Sequence, residues 1–246
     1  MSVFSVLPTP FDARGDFDPD SLRRVIDLFL ADGVTGFTAL GVTSEVAGLT
    51  DRERDVVLDT VLTHVCGRAP VVAGTTADGL RTCIEYSRRA KKAGAASLMI
   101  SPPRMAKINS DAVARHFAEV PAAADMPIIV QDYPPISGYA MEASLLARIA
   151  REVPSARTIK LEDPPTPFKT SRILDLTVDL DVKIFGGLGG VFLLEELMAG
   201  AAGAMTGFAL RRRGAITTPA VRPPGGTLDQ PTMVALDRVM NWVSAS

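Results

Sequence analysis

Short apolar runs alternate with amphipathic stretches along most of the chain. The runs fall at Phe4–Leu7, Gly36–Leu40, Pro70–Ala73, Ser97–Ile100, Ile128–Gln131, Thr158–Lys160, Lys183–Phe185 and Gly203–Met205. They are continuous rather than alternating, which is the pattern of parallel strands covered by helices. Between them the spacing of apolar positions predicts helices over Pro19–Ala31, Thr50–Val65, Leu80–Ala93, Ser110–Ala124, Glu142–Glu152, Thr166–Leu176 and Val191–Ala199. Two of these starts carry explicit signals. Asp18 precedes Pro19, an N-cap followed by proline at the first helical position. Thr50-Asp51-Arg52-Glu53 is a capping box. Strand–helix alternation of this kind builds α/β folds, and eight strands with seven intervening helices predict a (β/α)8 TIM barrel. A doubly wound open sheet shares the same local pattern, so periodicity alone does not separate the two.

The pattern breaks after Phe208. A stretch rich in Pro, Gly and Arg follows, and then one last helical pattern, roughly 230–243, which holds the only tryptophan, Trp242. The predicted organisation is a barrel catalytic domain over 1–209, then a linker and C-terminal helix over 210–246. That helix would serve as the missing eighth helix or belong to a shortened C-terminal appendage.

A chain of 246 residues with 47% apolar and 22% charged residues can bury one large core. A net charge of −2 gives no reason to expect nucleic acid or a membrane surface as partner, and Arg211-Arg212-Arg213 is too short a run to change that. Cys66 and Cys83 form no CxxC pair, a usage that fits a reduced cytoplasm. No basic leader opens the chain and no segment is long enough to span a bilayer. His64 and His116 lie on separate helices without HExxH spacing, no GxSxG is present, and the Gly186–Gly190 cluster departs from GxGxxG. The expectation is a soluble, cytoplasmic enzyme that uses no metal and no cofactor.

In a barrel, chemistry gathers at the C-terminal ends of the strands. Of six lysines, Lys160 alone ends a predicted strand. Facing inward there, its amine would be partly desolvated, which favours the uncharged form that attacks a ketone, and the resulting iminium draws electrons from the neighbouring bond. The plainer reading is an ion pair with Glu162 at the rim. Tyr133 ends the adjacent strand, where a phenol can shuttle the protons of imine formation; alternatively it packs on the Pro134-Pro135 turn. Thr43 and Ser44, in the loop Gly41-Val42-Thr43-Ser44-Glu45, offer hydroxyls and amides to a substrate carboxylate, or cap the following helix. Gly187 would let a ligand approach the backbone and so form a wall of the site.

These strand ends, taken in order, resemble the dihydrodipicolinate synthase and N-acetylneuraminate lyase family. The resemblance runs from Phe4 to Phe208 through Leu7-Pro-Thr-Pro-Phe-Asp, Gly41-Val-Thr-Ser-Glu, Pro70-Val-Val-Ala-Gly-Thr-Thr, Pro127-Ile-Ile-Val-Gln-Asp-Tyr and Thr158-Ile-Lys. It implies a barrel, commonly tetrameric, in which Lys160 forms a Schiff base with pyruvate or a related 2-keto acid. Tyr133 would then transfer protons, with Thr43 and Ser44 at the keto-acid carboxylate. Three departures argue against dihydrodipicolinate synthesis itself. Val42 replaces the first hydroxyl of the family's pair, Pro102-Pro103-Arg104-Met105 replaces a Tyr-Tyr segment, and Pro134-Pro135-Ile136-Ser137-Gly138 lacks the arginine that binds the second substrate. The resemblance therefore implies a class I aldolase-type lyase for another 2-keto acid, with Arg104 a contact for an anionic substrate. A sugar-acid hydro-lyase (dehydratase) using the same lysine and a catalytically silent keto-acid-binding barrel are the alternatives. The short tail would leave apolar surface for the last helix or a homo-oligomer, dimer or tetramer, to cover.

Overall fold

The structure is a computed structural model and describes residues 1–207, 215–218, 220–223, 229–231, 233, 234 and 238. Eight parallel strands form a closed ring in chain order: β1 (Ser2–Val6), β2 (Gly36–Ala39), β3 (Val71–Gly74), β4 (Ser97–Ile100), β5 (Ile128–Asp132), β6 (Thr158–Leu161), β7 (Lys183–Gly186) and β8 (Gly203–Thr206). The pairing of β1 with β8, from Ser2↔Gly203 to Ser5↔Thr206, decides for the barrel over the open sheet. Gly203 makes that seam possible, because a Cβ there would sit 1.8 Å from the Ser2 carbonyl oxygen.

The helices are α1 (Pro19–Ala31), α2 (Asp51–Val65), α3 (Leu80–Ala93), α4 (Ser110–Ala124), α5 (Pro134–Ser137), α6 (Ala143–Glu152), α7 (Thr166–Leu176) and α8 (Leu193–Met198). The Asp18 carboxylate accepts from Ser21 N–H at 2.9 Å, and Thr50 and Glu53 cap α2 reciprocally. Leu22, Val25, Ile26 and Phe29 of α1 show the i, i+3, i+4, i+7 spacing of a helix packed on the sheet. The short turn α5 went unforeseen. Its two prolines preset φ at the first turn, and Gly138, at φ 70°, ends it.

Two apolar layers explain why the strand runs are continuous. Leu98, Ile100, Ile128, Val130, Ile159 and Leu161 belong to the larger cluster between strands and helices. The residues alternating with them, Met99 and Ile129, join Val6, Val72, Phe185 and Met205 inside the ring. Phe4 and Phe185 meet edge to face there, with centroids 5.6 Å apart.

Part of the expected linker is packed rather than loose. Thr218 donates to the Phe11 carbonyl at 3.1 Å. Arg222 donates its N–H to Glu45 at 3.0 Å and its guanidinium to the Gly15 carbonyl at 2.9 Å, lies over the Phe11 ring, and pairs with Glu53. Most of the helix expected over 230–243, Trp242 included, lies outside the described residues. The Arg222 hydrogen bond, helped by the Thr50 N–H, holds the Glu53 carboxyl at about 2, against 4.5 for the free group. A folded-state value below the unfolded one stabilises the fold above the unfolded value, and that stabilisation is lost as pH falls through the folded value. Arg222→Met is therefore expected to lower Tm at neutral pH and to flatten the decline in Tm between pH 4.5 and 2. Thermal melts across that range check it; superimposable curves would rule the linkage out.

Candidate active site

Lys160 stands between Gln131 on β5 and Phe185 on β7 in the strand register. Residues side by side in a parallel sheet face the same way, and Phe185 belongs to the inner cluster, so Lys160 projects into the ring. It is 4% exposed, and its Nζ lies 3.0 Å from Glu162 Oε2. That oxygen also accepts from Gln131 Nε2 at 2.7 Å, and Gln131 Oε1 accepts from Ser101 Oγ at 3.0 Å. The plainer reading of Lys160, an ion pair with Glu162, is thus formed, and it lies inside the barrel with a proton acceptor in contact with the amine.

Gly187 has a use other than the wall expected for it. A Cβ at this position would lie 2.3 Å from Glu162 Cγ, so the glycine leaves room for the carboxylate that meets Lys160. Beside it, under Gly186, the buried Glu196 accepts from Thr166 Oγ1 at 2.6 Å, and burial pushes its carboxyl above the ordinary value. Gly187→Ala is expected to displace Glu162, at a stability cost of about 1–3 kcal/mol. The same change should lower the yield of any covalent adduct on Lys160. Tm and adduct yield measure the two effects, and a wild-type yield would free Glu162 of any part in the chemistry.

The loop after β2 is held chiefly by Ser44. Its hydroxyl donates to the Leu7 carbonyl at 2.5 Å and accepts from Gly41 N–H at 3.0 Å, and its carbonyl accepts from Thr9 Oγ1 at 2.7 Å. Buried and engaged in this way, Ser44 ties the loops after β1 and β2 together instead of presenting its hydroxyl to a ligand. Thr43, in the same 3-10 turn, is exposed. Tyr133 follows β5, half-buried, and its carbonyl accepts from Ile136 and Ser137 N–H at 3.0 and 3.2 Å. Outside the ring, Lys169 Nζ lies 2.5 Å from Asp132 and 2.7 Å from Asp163, joining the segments that carry Tyr133 and Glu162. Asp132 is fully buried, and desolvation raises its carboxyl against the pull of Lys169.

A cavity of about 260 Å³ opens among the C-terminal ends of β2 to β5. Its lining includes Gly41, Val42, Met99, Ser101 and Gln131, together with Arg54, Asp78 and Arg104. Lys160 is not among the lining residues; Gln131 connects the cavity to it through Glu162. The volume lies below the range of drug-sized pockets and suits a small acid. Arg104 lines the cavity as expected of a ligand contact, but it is paired with Asp78 at 3.3 Å. Arg54 was missed on sequence because it lies on α2 and not at a strand end. Its position in the first turns after the Gly41–Glu45 loop was the available signal. Among the described residues no group of three or more His, Cys, Asp or Glu side chains is placed to hold a metal ion.

A closed ring of eight parallel strands with helices between them is a (β/α)8 barrel, and both the cavity and Lys160 lie toward the C-terminal ends of its strands, where barrels of this kind carry their chemistry. The chain belongs to the dihydrodipicolinate synthetase family, whose sequence model it matches over residues 1–228. It is 37% identical over 208 residues to an L-2-keto-3-deoxyarabonate dehydratase of Azospirillum brasilense, an alignment covering 83% of this chain and 67% of that one. It is 31% identical over 185 residues to a 4-hydroxy-tetrahydrodipicolinate synthase of Methanothrix thermoacetophila, covering 75% of this chain and 61% of the relative. The matched region thus spans about two thirds of the length of the first relative and less of the second. The crystal structure of dihydrodipicolinate synthase from Rhodopseudomonas palustris superposes with a TM-score of 0.90 at 25% identity, covering 98% of this chain and 96% of that one.

Proposed function

We propose that this protein is a class I aldolase-type lyase that binds pyruvate or a related 2-keto acid as a Schiff base on Lys160. The observation that carries the reading is a single lysine inside the ring, 4% exposed, with a carboxylate 3.0 Å from its nitrogen. Glu162 takes the proton from the ammonium, the freed amine adds to the ketone carbon, and Tyr133 protonates the carbinolamine oxygen so that it leaves as water. The iminium then accepts the electron pair released at the next carbon. In an aldol cleavage that pair comes from a carbon–carbon bond and a base removes the distal hydroxyl proton. In a hydro-lyase it comes from a carbon–hydrogen bond whose proton passes to a base, and the enamine so formed then expels the distal hydroxyl, which leaves protonated as water. Similarity to the Azospirillum dehydratase favours the second course. The missing arginine in Pro134-Pro135-Ile136-Ser137-Gly138 speaks against dihydrodipicolinate synthesis. In this reading the substrate carboxylate falls to Thr43 and the loop amides, since Ser44 is engaged.

A homo-oligomer is part of the proposal, because α7 and α8 expose Phe168, Leu194 and Met198 at 74%, 67% and 81%. Two free cysteines, one of them buried with its thiol pushed up to about 11, support a cytoplasmic setting. Incubation with pyruvate, borohydride reduction and peptide mass spectrometry test the chemistry. A reduced adduct on Lys160 is expected. A keto acid that binds and leaves no adduct would make the protein a silent binder instead.

A further inference from the structure

Arg54 is half-buried and lines the mouth cavity, and its guanidinium makes neither a hydrogen bond nor an ion pair with the described residues. Each acid near it already has another partner. Asp51 accepts from the Tyr86 hydroxyl at 2.7 Å, Asp55 pairs with Arg89, Glu53 with Arg222, and Asp78 with Arg104. The charged lining residues are Arg54, Arg104 and Asp78, so the Arg104–Asp78 pair cancels and one positive charge is left. The guanidinium lies over the Tyr86 ring, with Cζ 4.2 Å from its centroid. Desolvation weighs against its charge, the Asp51 carboxylate offsets this only at longer range and without an ion pair, and a guanidinium stacked on an aromatic ring is preorganised for a carboxylate or phosphate.

We propose that Arg54 anchors an anion site in the mouth cavity, and that the end of the substrate remote from the ketone carries a carboxylate or phosphate that docks there. The statement about the substrate rests on the Schiff-base reading; the anion site itself does not. A 2-keto acid acidic at both ends would thus span from Lys160 to α2, the role that sequence reasoning gave to Arg104.

Titration calorimetry with glutarate, its neutral diamide and inorganic phosphate tests this on wild-type protein, on Arg54→Met and on Lys160→Ala. Glutarate or phosphate is expected to bind wild type and Lys160→Ala alike, and to bind Arg54→Met about tenfold more weakly or worse, as for loss of a charged hydrogen bond. Binding of phosphate but not glutarate would still support the site and identify the group as a phosphate. Equal affinity in wild type and Arg54→Met, or no binding of either anion, overturns the proposal. If Arg54→Met does not fold, the wild-type comparison decides: the diamide should bind at least about tenfold more weakly than glutarate, and parity overturns the site. The Lys160→Ala arm keeps this result independent of any failure of the imine chemistry.

Discussion

Lys160→Arg is expected to lose about ten-thousandfold or more in turnover while melting near the wild-type temperature. The guanidinium keeps the positive charge beside Glu162, so the buried carboxylate is not left alone and the fold has no reason to fail. An arginine cannot give up its proton in a protein, so it offers no free electron pair to a ketone. The borohydride adduct should vanish along with turnover. Turnover measured beside a thermal melt separates the chemistry from the fold, and wild-type turnover in this variant would end the assignment of Lys160.

Lys169→Met should have the largest effect on stability, about 3–5 kcal/mol, the usual consequence of removing one partner of a buried ion pair. Lys169 is the cation that meets both Asp132 and Asp163, and Asp132 has no exposed surface through which water could replace it. Losing it would raise the Asp132 carboxyl further, since desolvation already pushes that way and the opposing charge is gone. Denaturant melts give the change directly. A double variant with Asp132→Asn should recover part of the loss, because the orphaned charge goes too; no recovery would place the cost elsewhere. Because the three residues join the segments after β5 and β6, the variant should also loosen Tyr133 and Glu162.

The eight strands and most helices were legible because each local signal agreed with the final architecture: continuous apolar runs, Asp18 before Pro19, and the Thr50–Glu53 box. Ring closure was legible from the strand count and the family resemblance but not from periodicity, which describes single elements, whereas the β1–β8 pairing joins the two ends of the sheet. At the site, Lys160 could be found because a strand end is a position that sequence alone can locate. The partners of its neighbours could not. The Ser44 hydroxyl donates to the Leu7 carbonyl and Arg104 pairs with Asp78, contacts between residues far apart in sequence that no local pattern reveals. Arg54 was not legible for the complementary reason: an arginine on an amphipathic helix reads as a solvated face, and sequence does not show that its guanidinium faces a cavity while the nearby acids are engaged elsewhere.

The seam between β1 and β8 has a consequence for synthesis. Gly203 is made roughly two hundred residues after its partner Ser2. Until then one edge of β1 has no neighbour to bond, and an open strand edge invites pairing with other chains. A chain released before residue 203 should aggregate more than one released after β8 is complete.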